Sequence, residues 1–279
     1  MPENQQTDTT DRDLTFWEHL GELRVTFLRI IVTLFVFAFA FFMGMRWLFD
    51  NVILWPCNAD FPLYSLLSFM SGDGEWLPDL SDSSFSVSLI NIKLGTQLMT
   101  HFSASFYLAI VFAFPIIIYQ LWQFIAPGLY PHERRGARKA FFFGNLMFYL
   151  GTTLGYFIVF PLALRFLSEY QLSDSIDNML TLDSYMDSFY STIFAIGIVF
   201  ELPLLAWMLG HMRLINRRFF TKYRKYAIFA LLVLSAIITP TSDILTLFIV
   251  FIPLYALWEM SRLLVPKPEP SEHDETTPQ

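Results

Sequence analysis

Three acidic residues occupy positions where a carboxylate is unusual. Glu22 follows Glu18 by four residues near the N-terminus, Glu133 is the only acid in a basic stretch, and Glu201 interrupts an apolar run. A surface carboxylate accepts strong, charge-assisted bonds from a guanidinium group. A carboxyl within a membrane is costly and marks a functional site by default. The sequence therefore predicts a surface site for cations and a polar contact inside the apolar part.

The N-terminal carboxylates belong to a predicted helix. Thr15 and Glu18 fit a capping box, so a helix is expected to begin there. Glu18 and Glu22 repel each other mildly at this spacing, and a cation between them is favoured. Two structural alternatives stay open: Glu18 only caps the helix, and Glu22 pairs with Arg134 or Arg135.

A second cluster runs from Gln123 to Arg135. Pro127 and Gly128 are predicted to break a helix and set a rigid turn. Phe124 precedes that turn, and Glu133 follows it. The structural alternative for Glu133 is a carboxylate in the first turn of the next helix, stabilised by the helix dipole.

Glu201 lies about midway along an apolar run, in Phe200–Pro203. The cost of burying a charge favours the protonated carboxylic acid. Its alternatives are a functional site within the membrane and a hydrogen bond between helices with no further role. Glu259, near the end of the last apolar run, is shallower and more easily structural.

Familiar enzyme motifs are absent from the sequence. There is no GxxxxGK phosphate loop, no HExxH and no GxSxG. The five histidines form no i, i+4 pair, and the single Cys57 allows neither an intramolecular disulfide nor a cysteine metal site. We therefore expect no enzyme activity, no cofactor, no metal and no nucleic-acid partner.

The elements that carry these residues are membrane-spanning helices. Hydrophobic residues make up 54% of the chain, and they are collected in runs near the length that crosses a bilayer. The fold class expected is an all-α integral membrane protein forming one domain over 1–279, with a polar tail at 1–13 and a disordered tail at 266–279. The six predicted spans lie at about 26–48, 102–123, 140–163, 189–210, 225–239 and 244–264.

The fifth and sixth predicted spans are short or interrupted. Tyr226–Thr239 would measure only about 21 Å as a helix, and Pro253 interrupts the sixth span. Either the two form a re-entrant hairpin or they cross a thinned bilayer. Pro240 and Asp243 are predicted to form the turn between them, with Asp243 capping the sixth helix.

Charge sets the expected orientation. The loops after the second and fourth spans are basic, and those after the first and third are acidic. Basic loops stay in the cytoplasm, so both termini are predicted inside, with residues 49–101 as an outside capping loop. Within that loop, Phe61–Met70 is predicted to be a short helix, and alternation around Val87 weakly indicates a strand.

Five short strings together resemble the TatC family of the twin-arginine protein translocase. In family order they are His19–Arg24, Phe124–Arg135, Phe200–Pro203, Ile238–Pro240 with Asp243, and Ile252–Tyr255 with Trp258–Glu259. The resemblance implies six helices in a curved, glove-like arrangement with a concave face and with short fifth and sixth helices.

The resemblance also implies roles for single residues. Paired arginines of a signal peptide would be held at the cytoplasmic face by a site made of Glu22, Glu133, Leu23, Phe124, Arg24 and Arg134. Glu201 would face the concave groove where partner helices dock, together with Thr246. Thr246 and Leu247 stand where the family often has Ser-Gln, which departs from its usual polar docking spot.

The implied partners are twin-arginine signal peptides of folded cargo, TatA- and TatB-like single-span subunits, further copies of the chain, and lipid. The implied location is the bacterial inner membrane, and the implied energy source is the proton-motive force. The alternative is an ion-coupled secondary transporter that uses Glu201 as its proton site. The internal repeats common in transporters are not found in the sequence.

Overall fold

The computed structural model describes residues 16–71, 86–128, 131–170, 173, 178–212, 214–239 and 244–265. These ranges are mostly helical. The helices are α1 (Phe16–Leu48), α2 (Pro62–Ser71), α3 (Thr96–Ile125), α4 (Pro131–Leu154), α5 (Phe160–Glu169), α6 (Leu182–Val199), α7 (Leu202–His211), α8 (Arg217–Lys222), α9 (Arg224–Ile238) and α10 (Ile244–Leu264). Two short strands, β1 (Leu89–Ile90) and β2 (Leu180–Thr181), pair in parallel.

Five helical segments of the described chain are long and apolar enough to cross a membrane. They are Leu20–Cys57, Thr96–Ile125, Arg138–Glu169, Leu182–His211 and Thr246–Leu264. The predicted all-α membrane fold is thereby confirmed. The predicted fifth span corresponds to α9, which has 15 residues and measures about 22 Å. The sixth, α10, has 21 residues and contains Pro253.

Each long helix runs between two ends of the molecule. We call the end that carries α2 and the two strands the capped end, and the end that carries the start of α1 and the α3–α4 turn the open end. Helix α1 packs chiefly on α3, and α4 packs on α6. The outer face of α1 leaves large apolar side chains exposed, as lipid contact requires, including Val32, Phe35 and Met43.

Tyrosine hydroxyls hold irregular backbone together at the capped end. The hydroxyl of Tyr64 donates to Pro56 O at 2.8 Å, and that of Tyr156 donates to Val52 O at 2.7 Å. Tyr185 donates to Ile53 O in the same way. Burial raises the pKa of Tyr64, so it remains a donor. These bonds satisfy carbonyls that no helix satisfies.

Helix α2 confirms the helix predicted at Phe61–Met70. Beside it, Arg165 is only 2% exposed. Its Nε lies 2.9 Å from Glu169 Oε1, and its guanidinium lies 5.7 Å from the centre of the Tyr64 ring. Strand β1 begins two residues after Val87, where the alternation weakly indicates a strand. The pairing of Leu89 with Leu180 joins the two loops of the capped end.

Pro115 interrupts the hydrogen bonding of α3. Proline has no backbone N–H, so the carbonyl of Val111, four residues earlier, loses its helical partner. The hydroxyl of Tyr149 on α4 donates to that carbonyl at 3.2 Å. A side chain of the neighbouring helix thus satisfies the backbone group that the proline releases.

Glycines allow α4 and α6 to pack closely. A Cβ atom at Gly151 would lie 2.7 Å from Phe200 Cγ, and one at Gly197 would lie 2.7 Å from Thr152 Cγ2. Gly155 begins the π-helical stretch Gly155–Val159 that follows α4, and a Cβ atom there would lie 3.1 Å from the Cα of Ile193. Small residues at such contacts let membrane helices approach each other. We call this contact the glycine seam.

Arg217 fixes the end of α10. Its Nε donates to Val265 O at 2.8 Å, and its Nη2 donates to Leu263 O at 2.7 Å. Glu259 contributes to the same end, since its carboxylate lies 3.0 Å from Arg224 Nε and 3.3 Å from Arg262 Nε. Glu259 thus has the structural role that its shallow position allowed.

Candidate functional site

An open groove of about 500 Å³ lies between α1 and α3 at the open end. Its lining residues come from one face of α1 and from the last turn of α3. They are Gly21, Glu22, Val25, Thr26, Arg29, Gln123 and Phe124. The helix predicted from the capping box begins at Phe16, next to Thr15. The groove joins Glu22 to Phe124, two residues that are 102 positions apart in the sequence.

Glu22 and Arg29 give the groove opposite charges at different depths. Both side chains are exposed, and they stand two helical turns apart on α1. Within the described residues Glu22 forms no ion pair with Arg134; the side chain of Arg135, the other partner predicted for it, lies outside the described residues. Because the Glu22 side chain is exposed, a cation from solution can reach its carboxylate.

A polar contact continues one turn below the groove. Gln120 Nε2 donates to Thr33 Oγ1 at 3.0 Å, and Thr33 Oγ1 donates to Arg29 O at 2.8 Å. This contact fixes α1 against α3 beneath the lining residues. Arg29 and Gln123 were not predicted as site residues. The seven-residue spacing from Glu22 to Arg29 is the signal that indicates one helix face.

The other predicted residues of this site are placed less directly. Leu23 and Arg24 are exposed beside the groove, but they do not line it. Arg134 is partly exposed in the first turn of α4. Glu133 is the third residue of α4, as its dipole-stabilised alternative requires, but its side chain lies outside the described residues. Of the residues predicted for this site, the structure thus places Glu22 and Phe124 in the lining of one groove.

A single 3-10 turn, Ala126–Gly128, follows α3. It coincides with the break predicted at Pro127 and Gly128. Pro240 and Asp243, the turn predicted between the last two helices, lie outside the described residues. In the part of the chain that is described, no three His, Cys, Asp or Glu side chains are close enough to share a metal ion.

Glu201 stands in a break between α6 and α7. The predicted fourth span is continuous from 189 to 210, whereas α6 ends at Val199 and α7 begins at Leu202. Pro203 explains the difference, because it cannot donate the backbone bond that would continue the helix. Glu201 O still accepts from the backbone N–H of Leu205 at 3.0 Å, so the chain stays nearly helical through the break.

The Glu201 carboxyl group is turned toward α4. A Cβ atom at Gly144 would lie 2.8 Å from Glu201 Oε2. Both carboxyl oxygens are buried, and neither has a hydrogen-bond partner among the described residues. A buried polar atom without a partner is costly. A hydrogen-bond donor placed at this end of the α4–α6 contact would therefore stabilise the Glu201 carboxyl group.

Thr246 lies inside the molecule. It is 1% exposed, near the start of α10. Its hydroxyl therefore does not lie on the surface of the isolated chain. The residues expected to dock partner helices thus have buried polar groups in the isolated chain, whereas Glu22 is exposed.

These features define a class: a polytopic, predominantly helical membrane protein with an exposed carboxylate in a groove at one end and a buried carboxyl in a helix break. A family model described as "Sec-independent protein translocase protein (TatC)" matches residues 18–253. The match covers well over half of the sequence, so the chain belongs to the TatC family.

Known relatives agree over most of the chain. TatC of Campylobacter jejuni is 34% identical over 66% of this chain and 74% of its own length. TatC of Koribacter versatilis is 31% identical over 90% of this chain and 84% of its own length. A crystal structure of the twin-arginine translocase receptor TatC superposes with a TM-score of 0.67 at 30% identity, covering 89% of this chain and all of that one.

Proposed function

We propose that this chain is the receptor subunit of a twin-arginine protein translocase. It binds twin-arginine signal peptides of folded cargo at the α1–α3 groove and nucleates their export, driven by the proton-motive force. The observation that carries this proposal is the exposed Glu22 carboxylate in one groove with Phe124. Membership of the TatC family supports it.

The chemistry of the groove fits a guanidinium. A carboxylate can accept two parallel N–H bonds from arginine, which lysine cannot offer. Phe124 provides an aromatic face that a guanidinium can stack on. We assign Glu133, Leu23, Arg24 and Arg134 to the rim of the same site.

The surroundings of the site follow from the same proposal. The open end faces the cytoplasm, and the chain lies in the bacterial inner membrane with both termini inside. TatA- and TatB-like single-span subunits are its partners, with Glu201 as a docking contact, and copies of the chain associate in the complex. The basic loops at the open end support this orientation.

The test is peptide binding by the purified, full-length protein. A labelled twin-arginine peptide and its twin-lysine counterpart are titrated against wild type and Glu22→Gln. Because hydrogen bonds to charged groups contribute roughly 1.5–3 kcal/mol, we expect Glu22→Gln to bind the arginine peptide about tenfold or more weakly. The difference in affinity between the twin-arginine and the twin-lysine peptide should become smaller in the same variant.

Asp60→Asn is the matched control, because Asp60 is an exposed carboxylate at the capped end. It removes the same charge far from the groove and should bind like wild type. Equal loss in both variants would indicate a general effect of net charge. Unchanged binding by Glu22→Gln would place the peptide elsewhere.

A further inference from the structure

A second recess lies between α3 and α4 and adjoins the α1–α3 groove at Gln123, which lines both. Its volume is about 580 Å³, and it opens at the surface of the helix bundle. Its lining residues are Pro115, Ile118, Tyr119, Trp122, Gln123, Arg138, Phe141, Phe142 and Asn145. We call this recess the α3–α4 cleft.

The cleft begins at the proline that interrupts α3. Pro115 lines its deep end, and Tyr149 holds the two helices together at the freed carbonyl of Val111. Toward the open end, Trp122 and Phe141 form the back wall, with their ring centres 5.0 Å apart. Tyr119 and Phe142 are exposed at its edges.

Arg138 gives the mouth of the cleft a positive charge. It is exposed and begins the third membrane-spanning segment, while Trp122 stands one turn before the end of α3. Both residues therefore lie at the boundary between headgroups and acyl chains, where aromatic residues collect. Among the described residues, Arg138 has no ion pair. The described lining of the cleft contains no acid.

We propose that the α3–α4 cleft binds one anionic phospholipid. The phosphate is held by Arg138, and an acyl chain lies along Tyr119, Trp122 and Phe142. A basic residue above an aromatic cleft between membrane helices matches this chemistry. A zwitterionic lipid offers the same chains with no net negative charge, and an apolar partner helix leaves Arg138 without a counter-ion.

The test uses native mass spectrometry of the delipidated, full-length protein. Phosphatidylglycerol and phosphatidylcholine with identical chains are titrated separately. Since a charge-assisted hydrogen bond to a phosphate contributes about one factor of ten or more to binding, Arg138→Gln should lose about tenfold in phosphatidylglycerol affinity. Phosphatidylcholine binding should stay unchanged.

Lys139→Gln is the matched control. Lys139 is exposed, directly follows Arg138 on α4, and does not line the cleft. It should bind phosphatidylglycerol like wild type. Equal losses in the two variants, or equal wild-type affinity for the two lipids, would overturn the proposal.

A photoreactive side chain at Tyr119, in native membranes, tests the occupant directly. Crosslinks to phosphatidylglycerol support the proposal, and crosslinks to a polypeptide instead would overturn it.

Discussion

The two carboxyl groups at the centre of the functional proposals lie in opposite environments. Glu22 is exposed in an open groove, while both oxygens of Glu201 are buried against α4. Water and a cation from solution can reach the first, whereas the oxygens of the second are buried and have no hydrogen-bond partner among the described residues. The same residue type therefore fits peptide recognition at one position and helix docking at the other.

Substitutions of Glu201 separate docking from proton transport. A partner helix bonded to this side chain gains roughly 0.6 kcal/mol on average, and up to about 2, which is enough to bias where it docks. Glu201→Gln keeps hydrogen bonding and should retain part of the export activity. Glu201→Ala should lose export and crosslinking to a TatA- or TatB-like helix, while it still binds signal peptide at the distant groove.

The secondary-transporter alternative predicts a different pattern. Glutamine cannot release a proton, so the Gln variant would then be as inactive as the Ala variant. The comparison requires that all variants insert at equal levels. Normal export and crosslinking by Glu201→Ala would contradict a docking role.

At the scale of elements, the glycine seam determines how closely α4 and α6 pack. Gly151 faces the Phe200 side chain and also the backbone carbonyl of Ile196, where a Cβ would lie 3.0 Å from the oxygen. Backbone cannot move aside as a flexible side chain can. The position of Glu201, directly after Phe200, depends on this contact.

Gly151→Ala should therefore lower the thermal unfolding midpoint of the detergent-solubilised protein by several degrees. Overpacking of a close contact costs about 1–3 kcal/mol. Gly136→Ala, in the same helix, is the control, because its Cβ would meet only Trp207 Cζ2 at an ordinary 3.5 Å. A midpoint for Gly151→Ala equal to that of the control would show that the seam relaxes freely.

Hydropathy predicts the helices well because lipid leaves backbone groups no other partner. The five long segments and the short α9 follow from the apolar runs and their lengths. Breaks within a run are harder to predict. Pro115 and Pro203 both lie within apolar runs, yet α3 continues through Pro115, where Tyr149 replaces a lost bond, whereas α6 ends before Pro203.

The candidate site was predictable only in part. Glu22 and Phe124 follow from the family strings, but Arg29 and Gln123 join the groove through the register of α1 against α3, which packing determines. The orientation of the Glu201 side chain could not be predicted from the sequence either. Its neighbours are apolar on all sides, so periodicity does not indicate which face meets α4.

The whole molecule has two unlike ends. The capped end is closed by α2, the paired strands and buried tyrosine bonds, while the open end presents the groove and the basic residues. This polarity is what a receptor for cytoplasmic peptides needs. The proposed orientation can be tested independently of peptide binding.

Single cysteines in a Cys57→Ser background should report the orientation. Cys57 is buried, and its replacement leaves one reactive thiol at a time. In spheroplasts, an impermeant maleimide should label Asp60→Cys. It should leave Arg218→Cys unlabelled until the inner membrane is permeabilised. Labelling of Arg218→Cys from outside would reverse the assignment.

The length of α1 has a consequence for how a peptide first meets the protein. The helix has 33 residues, or about 50 Å, against a hydrocarbon core of about 30 Å. For a helix near the membrane normal, about 20 Å of α1 therefore lies beyond the hydrocarbon. The sequence around Glu22 is the part that projects at the open end. Under the proposed function, a signal peptide would therefore meet Glu22 in the hydrated layer above the membrane before any of the peptide enters lipid.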